Sequence, residues 1–327
     1  MQTRLTQAFG IRHPIVSAPM GLISGGRLAA AVSAAGGLGL VGAGYAGRTA
    51  SEPDLNEELA LVRGHTFGIG FITWALARDP GRLDELLVHR PACVFLSFGD
   101  ARPFAARIAA AGARLICQVQ CMRHVDEALD LGASVIVAQG AEAGGHGASR
   151  ATLPFVPEVA DHLAKRSPQT LLLAAGGIAD GRGLAAALML GADGVVVGTR
   201  FWASQEALTP EPMVARAIAA GGDDTVRIKS LDALRGVEWP EEFSFRVVRN
   251  GLTEAWAGRE AEARAAFGSM REAYARARAS HDLDIVATIA GEAIGLIHDR
   301  PSAGSIVESM VAQARQQLER AGAWLRQ

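Results

Sequence analysis

The stretch from Ala138 to Gly147 combines residue types that could support a reaction. It reads Ala-Gln-Gly-Ala-Glu-Ala-Gly-Gly-His-Gly and follows an apolar, β-branched segment at residues 134–137. Its glycines lack a Cβ, so the backbone could come close to a flat or anionic ligand. His146 is the side chain here that titrates near neutral pH. We interpret the stretch as a glycine-rich loop at the mouth of a buried strand, with one imidazole that points to an enzyme.

Two later glycine sites could bind an anion. Gly176 and Gly177 follow the seventh predicted strand, and Gly198 and Thr199 follow the eighth. Backbone N–H groups at a helix start, together with the Thr199 hydroxyl, would form an anion cradle. The loops after strands 7 and 8 of a (β/α)₈ barrel often bind a phosphate. We therefore predict a phosphate site, over the alternative that the glycines only form tight turns.

The first predicted strand ends in a turn that suits the face of a planar ring. Its sequence is Ala18-Pro19-Met20-Gly21. The proline fixes its own φ, the glycine admits close backbone approach, and the methionine adds a soft thioether. We expect this turn to lie at the same end of the molecule as the other glycine segments.

Other polar and aromatic residues near these segments have simpler interpretations. Glu142 could orient His146, but we favour a capping role in the loop. Asp180 is predicted to cap a helix N-terminus, and Arg200 could contact the phosphate. The remaining histidines are interpreted as structural. Three aromatic residues could form walls of an apolar pocket or pack in the core: Trp74, Phe201 and Trp202.

The elements that must position these residues alternate between apolar runs and alanine-rich helical segments. Such alternation predicts parallel strands joined by right-handed crossovers, and continuous apolar runs fit strands covered on both faces. Eight runs predict a (β/α)₈ TIM barrel; an open doubly wound sheet is disfavoured because no Gly-x-Gly-x-x-Gly follows the first strand. The predicted strands are 14–18, 37–41, 67–72, 93–98, 114–120, 134–138, 171–175 and 194–197.

The barrel pattern stops near residue 206. Residues 207–289 are rich in alanine, arginine and glutamate, and we predict a helical insertion that forms a lid near the upper face. Apolar residues recur at helical spacing in 305–325, which we assign to the last outer helix. The predicted barrel domain therefore comprises residues 1–206 and 290–327.

Composition and net charge limit the kinds of molecule that the chain is expected to bind. Its 327 residues are 49% hydrophobic, and the net charge of −2 argues against nucleic acid or an anionic membrane surface as a partner. Three cysteines, Cys93, Cys117 and Cys121, form neither a disulfide framework nor a metal-ligand pattern. With no signal peptide or membrane span in the sequence, we expect a cytoplasmic protein without a bound metal.

Taken in order, the motifs resemble the nitronate monooxygenases, formerly called 2-nitropropane dioxygenases, which are FMN-dependent barrels. The resemblance implies that the backbone of 18–21 lies along the isoalloxazine ring. It implies that Gln118 and Gln139 reach the flavin or its ribityl chain and that Gly144 contacts the cofactor. His146 would face the substrate. The FMN phosphate would be held by the residues after strands 7 and 8, Gly176, Gly177, Gly198 and Thr199.

The resemblance leaves the reaction partly open. A nitronate monooxygenase would use a small nitronate and dioxygen, whereas related NADH:quinone and enoyl-acyl-carrier-protein reductases share much of the pattern and would use NAD(P)H. Relatives often carry asparagine at the end of strand three, where this chain has Phe71, so we expect a more apolar pocket. A barrel that binds a phosphorylated metabolite without a redox cofactor is a further alternative. A homodimer is left open.

Overall fold

A barrel of eight parallel strands forms the centre of the molecule. The computed structural model describes residues 1–45 and 54–324. The described residues form eleven strands, of which eight belong to the barrel and three form a second sheet. In chain order they are β1 (Ile15–Ser17), β2 (Gly39–Gly44), β3 (Phe67–Ile72), β4 (Cys93–Ser97), β5 (Arg114–Val119), β6 (Val135–Gln139), β7 (Gly145–Gly147), β8 (Leu171–Ala175), β9 (Gly194–Val197), β10 (Thr225–Ile228) and β11 (Ser244–Val248). The second sheet consists of β7, β10 and β11. The barrel order is β1-β9-β8-β6-β5-β4-β3-β2. The fold is therefore the predicted TIM barrel.

Backbone hydrogen bonds between β1 and the start of β2 close the barrel. The Ser17 N–H donates to the Leu38 carbonyl at 3.0 Å, and the Leu38 N–H donates to the Ile15 carbonyl at 2.9 Å. β1 is also paired in parallel with β9. Because both edges of β1 are paired, the described sheet has no open edge at this seam.

Helices surround the barrel and build the insertion. They are α1 (Arg4–Phe9), α2 (Gly26–Ala34), α3 (Leu55–Leu61), α4 (Thr73–Leu76), α5 (Gly81–Leu87), α6 (Arg102–Ala110), α7 (Met122–Asp130), α8 (Thr152–Arg166), α9 (Gly181–Met189), α10 (Thr199–Trp202), α11 (Glu211–Ala219), α12 (Ser230–Arg235), α13 (Gly251–Trp256), α14 (Glu260–Ser280) and α15 (Ala303–Trp324), with 3₁₀ turns at Gly222–Asp224 and Glu292–Leu296. No helix in the described ranges is both long and apolar enough to cross a membrane.

The core has an inner and an outer layer. Inside the barrel, side chains of alternate strand positions such as Val16, Phe95 and Val137 pack together, and Leu5 and Phe9 of α1 pack against them. The outer layer fills the space between the strands and the surrounding helices. The last helix, α15, packs against α9 and α2, as the periodicity of 305–325 predicts, although residue 325 lies outside the described ranges. Packed layers on both faces explain the continuous apolar runs in the barrel strands.

The insertion is less helical than the sequence predicts. It contains β10 and β11, and β11 pairs antiparallel with both β10 and β7. The predicted loop around His146 is therefore partly a three-residue strand, Gly145–Gly147, at the edge of this second sheet. Glycines gave no strand signal because they are depleted in strands. The division into a barrel and an insertion domain remains a prediction.

The Arg227 side chain fastens the glycine-rich segment to the insertion. Its guanidinium donates hydrogen bonds to the carbonyls of Ala141, Ala143, Gly147 and Ser244 at 2.8 to 3.3 Å. Burial lowers the pKa of Arg227 to about 10, so it stays cationic at neutral pH. A charged donor to several carbonyls is a strong attachment because such bonds exceed neutral ones in strength.

We predict that Arg227→Met lowers the free energy of unfolding by about 3 kcal/mol, because several partly buried carbonyls lose a charged donor. Chemical denaturation followed by circular dichroism measures the change. Arg102→Met is the matched control, since Arg102 is exposed and paired with Asp100, and its unfolding midpoint should stay unchanged. Equal midpoints for the two variants would contradict the role given to Arg227.

Candidate active site

One cavity of about 290 Å³ lies at the carboxyl ends of the barrel strands. The predicted catalytic residue and all the predicted cofactor-binding residues line it: Ala18, Pro19, Met20, Gly21, Gln118, Gln139, Gly144, His146, Gly176, Gly177, Gly198 and Thr199. They come from the ends of different strands, and parallel strands of a barrel present their carboxyl ends to the same rim. The structure therefore brings the predicted residues together; their individual roles remain predictions.

The turn after β1 forms a rigid wall of the cavity. Pro19 packs so closely on Gly70 that a Cβ at position 70 would lie 2.2 Å from the proline Cγ. A Cβ at Gly21 would lie 2.9 Å from the Gly44 Cα. The Ser24 hydroxyl donates to the Ala18 carbonyl at 2.8 Å. Close packing and this bond hold the turn in one conformation, which leaves its exposed face as a fixed surface for a ligand.

The glycine segments after β8 and β9 form a concave backbone surface on the other side. Gly176 and Gly177 both have positive φ, +99° and +73°. A Cβ at Gly176 would lie 2.9 Å from the Gly140 carbonyl oxygen, so a side chain has no room there. The Thr199 hydroxyl oxygen accepts from the Gly291 N–H at 3.0 Å, and its own proton remains available. Backbone N–H groups and one hydroxyl suit an anion.

The glutamine pair is hydrogen-bonded within the protein. The Gln139 side-chain oxygen accepts from the amides of Gln118 at 3.2 Å and Gln120 at 3.0 Å. The Gln139 amide donates to the His146 carbonyl at 3.3 Å. Gln139 therefore holds β7 against the barrel. Gln118 retains its own oxygen and one N–H for a ligand in the cavity, because only one of its polar groups is used here.

His146 lies in an aromatic sandwich. Its ring stacks on Trp239, with centroids 3.3 Å apart, and on Phe245, with centroids 4.3 Å apart. Phe245 is its direct cross-strand partner on β11, which explains this contact. The His146 Nε2 lies 2.8 Å from the Asp232 Oδ2, and both side chains are 7% exposed. The imidazole is thus held on both faces and at one nitrogen.

Burial lowers the pKa of His146 below its usual value. The hydrogen bond to Asp232 and the charge of that carboxylate oppose this effect, whereas Arg235 and Arg227 add to it. Since the ordinary histidine pKa is about 6.5, the neutral ring prevails at pH 7. The site therefore presents a neutral imidazole that could accept a proton.

The structure settles several simpler interpretations. Glu142 accepts from the N–H and hydroxyl of Thr152, so it caps α8 and does not contact His146. Asp180 caps α9 as predicted. Arg200 was expected as a possible phosphate contact, but its guanidinium is bound to the Asp299 carboxylate at 2.6 Å and does not line the cavity. The sequence does not reveal this ion pair, because Asp299 lies far from Arg200 along the chain.

Of the aromatic residues and cysteines considered from the sequence, one aromatic residue lines the cavity and two cysteines stay protonated. Trp202 lines the cavity, whereas Phe201 is fully buried in the core and Trp74 packs edge-on against Trp239 outside the lining. Burial raises the pKa of Cys93 and Cys117 to about 12, so neither supplies a thiolate at neutral pH. Of the three expected aromatic walls, Trp202 alone contributes.

Functional residues in the insertion escaped the sequence analysis. Asp232 and Arg235 lie on α12, and Trp239 follows it; Arg235, Trp239 and Tyr45 line the cavity. The Trp239 indole N–H donates to the Tyr45 hydroxyl at 3.1 Å. The aromatic residues of the insertion, Trp239 among them, were the one available signal, because tryptophan is highly buried on average and needs a surface to pack against.

Comparison with known proteins gives consistent matches. The sequence model of the family described as "Nitronate monooxygenase" matches residues 2–69 and 56–313. The nitronate monooxygenase of Neurospora crassa is 34% identical over 345 residues, 94% of this chain and 90% of that protein. A (3aS,4S,5R,7aS)-5-hydroxy-7a-methyl-1-oxo-octahydro-1H-indene-4-carboxyl-CoA dehydrogenase of Mycobacterium tuberculosis is 34% identical over 258 residues, 78% of this chain and 68% of that protein. FabK from Thermotoga maritima superposes with a TM-score of 0.83 at 27% identity over 99% of each chain.

We predict that Trp239→Ala raises the pKa of His146 toward 6.5, because loss of the stacked indole lets water reach the ring and relieves the desolvation that lowers this pKa. Nuclear magnetic resonance titration of the imidazole measures it. Trp324→Ala, which removes an exposed tryptophan far along α15, serves as control and should leave the pKa unchanged. A pKa that stays low in Trp239→Ala would show that the stacking does not bury His146.

Proposed function

Because this chain belongs to the nitronate monooxygenase family, we propose that it oxidises alkyl nitronates with dioxygen, using FMN, to a carbonyl compound and nitrite. Members of the family are typically flavin-dependent oxidoreductases that act on small molecules. The observation that carries the proposal is that one cavity is lined by bare glycine backbone with a hydroxyl, by a rigid turn and by a buried imidazole. Such a combination is what a phosphorylated ring cofactor and a small substrate require together.

The residues present fit FMN. Among the described residues that line the cavity, Arg235 is the one guanidinium, and it lies with Tyr45 and Trp239, not at the glycine segments. A phosphate would therefore be held by the N–H groups of Gly176 and Gly177 and by the Thr199 hydroxyl. A side chain has no room at position 176, because its Cβ would lie 2.9 Å from the Gly140 carbonyl oxygen, so the backbone there stays bare. The ring would lie against residues 18–21, and Gln118 would contact its polar edge.

The chain's own residues orient the substrate and manage its charge. FMN supplies the redox chemistry when bound. His146 could remove a proton from the carbon beside a nitro group, because its neutral ring has an available nitrogen. The Arg235 cation would offset the negative charge of a nitronate. Phe71, Phe98 and Phe245 make the surrounding wall apolar, which excludes water from the reacting carbon.

A thioester or quinone reductase that uses NAD(P)H is the second candidate. The CoA dehydrogenase of M. tuberculosis, similar over most of this chain, favours it. The charge beside the cavity opposes it. An adjoining cavity of about 390 Å³ is lined by the acids Asp100, Glu127, Asp130 and Glu242 and by two arginines, Arg102 and Arg123. A surplus of carboxylates disfavours the pyrophosphate of a nicotinamide or CoA carrier.

We predict that the chain loaded with FMN consumes dioxygen and releases nitrite with propane-2-nitronate, without NAD(P)H. With 2-nitropropane, whose carbon must first lose a proton, His146→Gln should keep its flavin and lose about 10²- to 10⁴-fold in kcat/KM, because the base at this ring is removed. Oxygen-electrode rates and flavin absorbance measure both properties on the same sample.

Two results would contradict the proposed function. Rapid NADH or NADPH oxidation with a quinone or enoyl thioester, and no nitrite from the nitronate, would support the reductase. A chain that stays colourless after incubation with FMN would support a barrel that binds a phosphorylated metabolite. Full activity in His146→Gln would remove this residue from the mechanism.

We predict that Gly177→Leu weakens FMN binding at least tenfold, because a side chain at the cradle displaces the phosphate. Gel filtration followed by flavin fluorescence measures the retained cofactor. Gly112→Leu is the matched control, since Gly112 has the same φ of +73° and a Cβ there would meet nothing within 4 Å. Equal FMN retention in both variants would place the phosphate elsewhere.

A further inference from the structure

The contacts of His146 leave one of its atoms free to act. Trp239 and Phe245 stack on the two faces of the ring, with interplanar angles of 6° and 10°. The Asp232 carboxylate takes the Nε2 edge at 2.8 Å. Nδ1 has no hydrogen-bond partner among the described residues, yet it is not among the fully buried polar atoms that lack one. It is therefore the ring nitrogen that remains accessible from the cavity.

Asp232 is well placed to determine where the ring carries its proton. A carboxylate has acceptors and no donor, so its short contact requires a proton on Nε2. Its second oxygen, Oδ1, is buried without a hydrogen bond, and the Arg235 guanidinium lies 3.6 Å away. A buried carboxylate with so few partners strongly favours a proton on the imidazole nitrogen that faces it.

We propose that Asp232 is a positioning residue that holds His146 in the Nε2–H tautomer and presents Nδ1 to the substrate. The neutral ring then offers an unprotonated Nδ1 to a carbon acid, and the protonated ring offers an Nδ1–H to a nitronate oxygen. Substrate must approach in the plane of the imidazole, because both faces are covered. Asp232 does not touch the substrate in this arrangement.

The tautomer assignment stands on the geometry alone, whereas its effect on turnover rests on the proposed function. The charged groups that face His146 are Asp232 and Arg235 on α12 and Arg227 on β10, and its neighbour on β11, Phe245, is neutral. Of these groups, only Asp232 favours the protonated ring. Its removal therefore shifts His146 in one direction, whichever protonation state is active.

Nitrogen-15 nuclear magnetic resonance of the FMN-loaded wild-type protein tests the assignment directly. The His146 signals are identified by their loss in His146→Gln. Above the pKa of the ring, we expect Nε2 to show the shift of a protonated nitrogen and Nδ1 that of an unprotonated one. The reverse pattern would overturn the proposal, and this result needs no variant of Asp232 to fold and no nitronate substrate.

Asp232→Asn tests the effect on the reaction. We expect kcat/KM with 2-nitropropane, a carbon acid, to fall by about 10²-fold, as for other misplaced catalytic groups, while FMN stays bound. The limb of the pH profile that is absent in His146→Gln should move to lower pH, because the carboxylate that favours the protonated ring is gone. A lower rate with an unmoved limb would mean that Asp232 is merely structural and would overturn its positioning role.

Asp126→Asn is the matched control. Asp126 lies 2.8 Å from the Nε2 of His162, the same kind of contact on the outer helices and away from the cavity. Its substitution should change neither the rate nor the pH profile. If wild type shows the predicted tautomer but releases no nitrite, the proposed function fails while the assignment of the tautomer stands.

Discussion

The pairing of Gly145–Gly147 with β11 is the constraint on which the site depends. It joins a segment that leaves the barrel to a sheet of the insertion, and it places Phe245 directly against His146. The same sheet brings Arg227 to the carbonyls of the glycine-rich segment. Without this pairing, the imidazole would sit on an unsupported loop, with neither its aromatic partners nor Asp232.

The glycines of the site serve two separate physical purposes. A Cβ at Gly144 would lie 2.5 Å from the Gly291 nitrogen, so this glycine is required by the close approach of another backbone segment. Gly176 and Gly177, in contrast, need their positive φ and form the surface that faces the cavity. Gly144, in the run that first suggests ligand binding, is therefore explained by packing. Gly176 and Gly177 are the stronger evidence for an anion site.

The barrel could be predicted because its information is local. Buried parallel strands are continuous apolar runs, and Gly112, Gly132 and Gly191 end the intervening helices with positive φ. The rim residues followed, since strand ends of a barrel meet at one face. Strand β7 could not be predicted in the same way, because a Gly-His-Gly segment has low strand propensity and becomes a strand only when its partner is present.

The contact between Asp232 and His146 could not be predicted from the sequence for a related reason. Asp232 lies 86 residues from His146, and the contact depends on how α12 packs after β10 and β11 have paired. No residue spacing records that arrangement. Arg200 shows the converse, because a cation beside a predicted phosphate site looks like a ligand until its pairing with Asp299 is seen. The local sequence pattern thus identifies candidate residues, whereas contacts between distant segments determine which partners those residues have.

A crystal structure of the chain with FMN tests the central claim most directly. The account predicts the phosphate within hydrogen-bond distance of the Gly176 and Gly177 N–H groups and the Thr199 hydroxyl, with the ring against residues 18–21 and facing the Nδ1 of His146. A phosphate bound elsewhere, or a ring on the far side of the cavity from His146, would contradict it.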